Sequence, residues 1–259
     1  MDTRYTAPLM SAAILAMMAS VAAAQSFSPP RTPDGKPNLT GVWQALNTAH
    51  WDLQDHNARG PATPGASAAD GMPAGRGVVE GKEIPYLPSA LAQRKENFAK
   101  RRTLDPLHKC YLPGVPRIMY MPFPFHIFQT PNSIAIAFEY VHAFRTIFTD
   151  GTKHPDGHID WWMGDSRGHW EGDTLVVDVT DFGPETWFDR AGNYHSDALH
   201  LVERYTLISA DHINYEVTVE DAKTFSRPWK ISMVLYRLKE PYADILEYEC
   251  YALDDPATN

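Results

Sequence analysis

From residue 111 onward the chain is a succession of short β-rich runs separated by turn signals, and this constrains the fold more than any other feature. His126–Thr130 and Ser133–Glu139 are divided by Pro131-Asn132, a hairpin signal. Phe144–Thr149 stops at Asp150-Gly151. Trp161–Trp170 and Thr174–Phe182 flank Glu171-Gly172-Asp173, which reads as a three-residue hairpin connection containing glycine. Leu199–Ser209, Ile213–Glu220, Trp229–Leu238 and Ile245–Leu253 follow at close spacing. Many short strands joined mostly by hairpins predict a mainly β protein, an antiparallel barrel or sandwich. In Ile213–Val219 the apolar residues fall on every second position, as in a half-buried strand, whereas Leu199–Ser209 and Trp229–Leu238 are apolar on both faces. A barrel that encloses a ligand space and is covered outside by loops or a helix produces that mixture.

Ahead of this region the signals differ. Asn38–Gln44 looks like a first strand carrying a Gly-x-Trp element, Gly41-Val42-Trp43. Residues 57–77 are rich in Gly, Ala and Pro and almost devoid of large apolar side chains, which predicts a long mobile loop. One peripheral helix is expected over 88–102: Pro88 opens the segment, Ser89 can cap it, and Leu91, Lys95 and Phe98 fall near one face. Its basic tail, with Arg94, Lys95 and Lys100–Arg102, reads as a solvated face at the helix C-terminus, where cations are favourable.

Residues 1–24 read as a secretory signal peptide. Arg4 precedes an apolar run that ends in Ala22-Ala23-Ala24, and no basic stop-transfer cluster follows, which argues against a membrane anchor. The remainder, 25–259, reads as a single β-barrel domain in the periplasm or outside the cell, with no later segment apolar enough to span a membrane. In an oxidising compartment Cys110 and Cys250 could form a bridge, the alternative being two separate buried thiols. Acidic residues outnumber basic ones 32 to 23, a formal charge of −9, so the protein should repel phosphate backbones and nucleic acid is not an expected partner.

The run Gly164-Asp165-Ser166-Arg167-Gly168-His169-Trp170-Glu171-Gly172-Asp173-Thr174-Leu175-Val176-Val177-Asp178 resembles a signature of a large family of mostly uncharacterised secreted bacterial proteins. So do His195–His200, Glu203-Arg204-Tyr205, Arg227-Pro228-Trp229 and the stretch from Lys109-Cys110 to Arg117. The Gly-x-Trp element and successive hairpins are also similar to calycin, lipocalin-like barrels. The resemblance implies an antiparallel lipocalin-like barrel and carries no catalytic residue over.

Gly164-Asp165-Ser166-Arg167-Gly168 matches the five-letter pattern of a nucleophile elbow, but that device needs a strand turning sharply into a helix, and here a tryptophan-containing hairpin follows. His154 and His158 are four apart, yet Pro155 and Gly157 make a turn of the segment between them, so no metal site is expected there. Met119 and Met121 near His126 read as core packing rather than copper ligands.

A distributed set carries more chemistry. Glu203 and Arg204 are adjacent on a strand and must face opposite sides; Arg204 shares its face with His200 and Val202, Glu203 with Leu201 and Tyr205. Asp178 shares a face with Val176 and Thr180, a mixed surface compatible with a cavity wall. His195 and Asp189 precede a strand, in a loop expected at a barrel mouth. A rim histidine oriented by a carboxylate and facing an arginine can move a proton near neutral pH. The catalytic set read this way is His195 as acid or base, Asp189 or Asp178 as orienter, and Arg145 as anion holder. His126, Trp162, His169, Trp187 and Arg204 would contact the substrate, a small apolar or aromatic molecule. With no cofactor fingerprint, cofactor-independent lyase, isomerase or hydratase chemistry is expected, and the alternative is a carrier whose cavity only binds.

Overall fold

The computed structural model describes residues 27–60, 71–157 and 159–250. The expected signal peptide, His158, the centre of the 57–77 loop and the last residues of the expected 245–253 strand lie outside these.

Among the described residues nine strands form a closed barrel: β1 (Gly41–Ala45), β2 (Phe125–Gln129), β3 (Ser133–Phe138), β4 (Phe144–Phe148), β5 (Asp165–Glu171), β6 (Thr174–Thr180), β7 (His200–Ser209), β8 (His212–Glu220) and β9 (Trp229–Arg237). The β-rich runs therefore became strands, with β5 beginning later than its run because 161–164 lie off the ladder. Gly172-Asp173 alone joins β5 to β6, with Glu171 opposite Thr174, so that turn has two residues and not three. Gly172 supplies the positive φ, +59°, that such a tight connection needs. Residues 245–250 make no ladder strand; Tyr248 contributes a single bridge to Tyr140.

Closure falls to β1, which pairs antiparallel with β2 on one side and β9 on the other. Gly41 takes φ +142°, a conformation that L side chains rarely adopt, and Arg237 Nη1 occupies the space a Cβ would fill. The Arg237 guanidinium crosses that space, donates to Thr40 O at 2.8 Å and lies 4.2 Å from the Trp43 ring centroid. Trp43 is fully buried and donates from Nε1 to Leu39 O. The Gly-x-Trp element thus locks the first strand to the last.

One pair departs from the antiparallel expectation. β4 and β5 run parallel, joined only at Ile147 opposite Ser166 and Phe148 opposite Arg167. A parallel neighbour requires the chain to cross back before pairing. The segment after β4, with Gly151, Pro155 and Gly157, does this outside the barrel, and Trp161 bridges to Phe182 on the way.

Alternation decides what faces inward. Ile134 and Ile136, Leu175, Val177 and Val179, Leu201 and Tyr205, Ile213 to Val219 on odd positions, and Ile231 to Leu235 are buried together in one cluster. Trp43, Phe125, Tyr205 and Tyr215 are among its largest members. A barrel of about this strand number is just wide enough for side chains to fill. The ligand space expected along the barrel axis is accordingly occupied by the protein's own core, and the usable cavity lies in the wall.

The helix differs in detail from its expectation. It runs as α1 (Pro88–Ala99), breaks at Lys100 and resumes as α2 (Arg101–Leu104). Leu87 takes the N-cap position and Pro88 the first turn, so Ser89 is no cap. Its buried residues are Ala90 and Asn97, with Leu91 left exposed. The helix docks by polar contacts: Arg94 Nε donates to Asn193 Oδ1 at 3.2 Å and Asn97 Nδ2 to Gly192 O at 3.4 Å. Gly192 permits this approach, since a Cβ there would lie 2.7 Å from Phe98 N. At the ends of the Gly/Ala/Pro-rich loop, Arg59 pairs with Met72 and His56 with Gly75. Cys110 and Cys250 stand at disulfide distance, 5.5 Å between Cα atoms, as a pair in an oxidising compartment would. Among the described residues no helix is long and apolar enough to cross a membrane.

Candidate functional site: a slot in the barrel wall

Because β4 and β5 share only two residue pairs, they part toward the N-terminal end of β4. Residues 160–164 run beside Phe144–Thr146 without pairing, and the gap is a cavity of about 430 Å³. Gly164, at φ +68°, makes the entry to β5 tight: a Cβ would stand 2.7 Å from Val179 and 2.8 Å from Phe182. Phe144, Phe148, Trp161, Trp162, Met163 and Leu112 form walls and rim, while Arg145 and Ser166 lie at the floor. Phe144 is 59% and Trp161 47% exposed, so large aromatic surface stands open around a buried polar base. That combination, at this volume, matches a small-molecule site. A larger depression of about 660 Å³ between Asp55 and Lys82 is walled by glycines and solvated charges and offers no comparable apolar surface.

The floor belongs to a network inside the barrel. Arg145 and Glu203 are both buried at inward positions of β4 and β7. Arg145 Nη1 donates to Glu203 Oε1 at 3.1 Å and to Tyr205 OH at 3.4 Å, and Nη2 closes onto Glu203 Oε2. Nε and Nη2 both donate to Ser166 Oγ, at 3.1 and 2.9 Å. Tyr205 and Tyr215 donate to Glu203 Oε1 at 2.9 and 2.6 Å. Burial works against the Arg145 charge, but Glu203 outweighs it and holds the guanidinium above its ordinary value. Burial, then the Glu203 carboxylate, pushes both phenols well above theirs, so they remain donors.

This arrangement engages all five guanidinium N–H groups. Ser166 Oγ accepts two of them, which fills its lone pairs and leaves its own O–H to donate into the slot. The ion pair beneath is neutral overall, so the floor suits an uncharged acceptor such as a carbonyl oxygen. Ser166 sits on strand β5, which turns through Gly172-Asp173 into β6 and not into a helix.

The residues singled out from sequence divide among separate places. Arg145 and Trp162 meet at the slot. Asp178, His169 and Arg204 lie on the outer face: Arg204 Nη1 donates to Glu171 at 3.0 Å, and His169 contacts the same carboxylate at 3.3 Å. His126 also faces outward on β2, its ring stacked on Phe128 at 4.0 Å. His195, Asp189 and Trp187 belong to the loop before β7, which caps one barrel mouth by packing Phe188 on Phe225 and Trp229. There His195 is buried, with Nε2 2.7 Å from Thr186 Oγ1 and Nδ1 2.8 Å from Ser196 O. Burial lowers its pKa and keeps the ring neutral. Asp189 is fully buried and bonded to Leu53, Ala191 and Asn193. The structure thus does not bring His195 together with Asp189, Asp178 or Arg145.

Sequence reasoning weighed Ser166 only as an elbow nucleophile and His154 only as a metal ligand, and set both aside. The usable signal for Ser166 was alternation, since it shares the inward face of β5 with Gly168 and Trp170. His154 lies in an irregular segment where no periodicity could place it. Its Nδ1 meets Asp165 at 2.6 Å and its Nε2 meets Asp178 at 2.8 Å. Asp178 continues to His200 Nε2 at 2.9 Å. A histidine–carboxylate chain therefore runs over the outer face from Asp165, a slot-lining residue. Among the described residues no group of His, Cys, Asp and Glu is placed to hold a metal.

The His200–Asp178 contact has a pH signature. The hydrogen bond to Asp178 raises His200 against partial burial, and the same bond lowers Asp178. Below its ordinary value His200 contributes fully, and that contribution is lost as pH rises through the raised folded value. On the acid side it is lost as pH falls through the depressed Asp178 value. NMR titration should show the His200 ring titrating above 6.5, and Asp178→Asn should return it toward that value.

No family model, curated protein or solved structure matches the chain.

Proposed function

We propose that the protein is an exported small-molecule-binding barrel, working in the periplasm or outside the cell, whose ligand is an aromatic molecule with a carbonyl-type acceptor. One observation carries this reading: an aromatic-walled slot of about 430 Å³ ends on Ser166, a buried hydroxyl with a proton to give. The ligand's ring covers Trp161, Trp162 and Phe144, and its oxygen receives the Ser166 O–H, polarised by Arg145 behind it.

The probe is 2-acetonaphthone, followed by quenching of tryptophan fluorescence. Ser166→Ala should weaken binding about tenfold, the worth of one polarised hydrogen bond, while Trp162→Ala removes wall surface and weakens it further. Equal affinity in wild type and both variants would reject the slot as the site.

A second reading, cofactor-independent acid–base turnover of the lyase, isomerase or hydratase type, is favoured by the contact of slot-lining Asp165 with His154. The two readings separate on product. A probe recovered unchanged after prolonged incubation supports a carrier, and a probe chemically altered in wild type but not in His154→Ala supports an enzyme.

A further inference from the structure

The segment that carries the chain from β4 to β5 supplies Trp161, Trp162 and Met163 to the slot, and His154 fastens this segment to the barrel. The His154 ring lies between two carboxylates: Nδ1 is 2.6 Å from Asp165 on β5, and Nε2 is 2.8 Å from Asp178 on β6. Both carboxylates are committed acceptors. Asp165 takes Nε and Nη2 of Arg167, one on each oxygen, at 2.6 and 2.9 Å. Asp178 is held below its ordinary value by the His200 bond and, against partial burial, by the His154 bond. An ionised carboxylate can only accept, so each ring nitrogen of His154 must donate, and the ring carries two N–H groups only as the imidazolium. The contacts are therefore complete in one protonation state. A neutral His154 keeps one carboxylate and turns a lone pair toward the other.

The surrounding charges favour the same state. β5 presents Asp165 and Arg167, and β6 presents Asp178. Beyond Asp178 lies His200 of β7, which contacts Glu220 of β8 at 3.4 Å. On its own segment Lys153 and Asp156 are exposed, Asp150 is bonded to Thr152, and Asp160 lines the slot. In the bonded chain three carboxylates stand against Arg167, an excess of two negative charges that the imidazoliums of His154 and His200 cancel. The path onward to the slot is short. Arg167, anchored by Asp165, donates to Thr152 Oγ1 at 2.6 Å and lies 4.5 Å from the Phe148 ring centroid, and both Asp165 and Phe148 line the slot. The His154 side chain is 27% exposed, so its proton can exchange with solvent.

We propose that His154 is a pH latch on the wall slot: as an imidazolium it clamps the crossover segment to β5 and β6 and keeps the slot in its binding shape, and as a neutral ring it releases one carboxylate and loosens the grip. Binding is thus full in acid and is lost as pH rises through the titration of His154. The inference rests on the reading of the slot as the ligand site.

Two measurements on the full chain, at about pH 5.5 and about pH 8.5, test this. The first needs no ligand: hydrogen exchange of residues 150–157, corrected for its intrinsic pH dependence, should lose protection at the higher pH in wild type and show no such loss in His154→Ala. The second uses 2-acetonaphthone, which has no titratable group, so that any pH dependence of its binding belongs to the protein. Wild-type affinity should fall about fivefold or more at the higher pH, part of the worth of one charge-assisted hydrogen bond. His154→Ala should bind at both pH values as wild type does at the higher one. His142→Ala, which removes a ring lying on exposed Glu249, should keep the wild-type profile. Protection that does not change with pH in wild type overturns the latch, whatever the ligand does. Lost protection with equal affinity at both pH values overturns its control of the slot, as does a pH-dependent affinity that persists in His154→Ala. Absence of saturable binding at either pH overturns the slot reading and this control with it, and the exchange data tell that failure from a failure of the latch.

Discussion

Glu203→Leu is expected to destabilise the protein by about 3–5 kcal/mol, because it leaves the Arg145 guanidinium buried without its counter-charge. Arg145 cannot escape by losing its proton, because a guanidinium is too basic to be deprotonated in a folded protein. Tyr205 and Tyr215 lose their acceptor in the same step, adding two unsatisfied hydroxyls. The double variant Arg145→Met/Glu203→Leu should recover much of the loss, because an apolar pair of similar volume needs no desolvation to be offset. Thermal unfolding would show the single variant roughly 10 °C below wild type and the double variant between them. A single variant as stable as wild type, or a double variant no better than the single, would show that the ion pair does not hold the interior.

The second large effect is expected at Asp189. Its carboxylate accepts from Leu53 N at 2.9 Å, Ala191 N at 2.9 Å, Asn193 N at 3.1 Å and Asn193 Nδ2 at 2.5 Å. It thereby ties the capping loop to the segment that follows β1. Asp189→Asn presents an amide NH₂ to donors, so at least one buried N–H loses its acceptor and another faces a like group, at about 1–3 kcal/mol each. The pH dependence distinguishes this from a simple packing defect. Burial, then the Asp52 carboxylate, pushes Asp189 up to about 7 against the N–H donors. The folded state therefore keeps a proton that the unfolded chain sheds near 4. Between about 4 and 7 stability falls as pH rises, with a slope of up to about 1.4 kcal/mol per unit from this one group. Asp189→Asn should flatten that slope as well as lower stability, and denaturant titrations across the window would report both. A variant with wild-type slope would assign the pH dependence elsewhere.

These two positions show how far the site could be read in advance. Arg145 was expected to hold an anion, and the separation of Glu203 from Arg204 onto opposite faces follows from strand geometry alone, but Arg204 was the one assigned to the substrate and it is Glu203 that the structure buries. Asp189 and His195 were visible as loop residues before a strand, but their partners were not. His195 was expected to face a carboxylate, and it bonds Thr186 and the Ser196 carbonyl. Asp178 was assigned to a cavity wall because its face mixes polar and apolar residues, and Arg204 was expected to contact the substrate. That face is the outside of the barrel, where mixing is equally natural.

Alternation, turn chemistry and the Gly-x-Trp element belong to the chain itself, because the two-residue period and the demands of a tight turn act over a few neighbours. They were enough to place nearly every strand; that β1 closes the barrel against β9 beside the Gly41–Arg237 contact came from the structure. Which strand would run parallel, that the tube would be filled from within, and that its opening would fall at the short β4–β5 seam were settled only when distant segments met. Pairing across that seam depends on how the chain between Thr149 and Gly164 travels outside the barrel, and its path is dictated by side chains far away in sequence, such as Val179 and Phe182 against Gly164. Local propensity carries no information about such contacts, which exist only in the assembled fold.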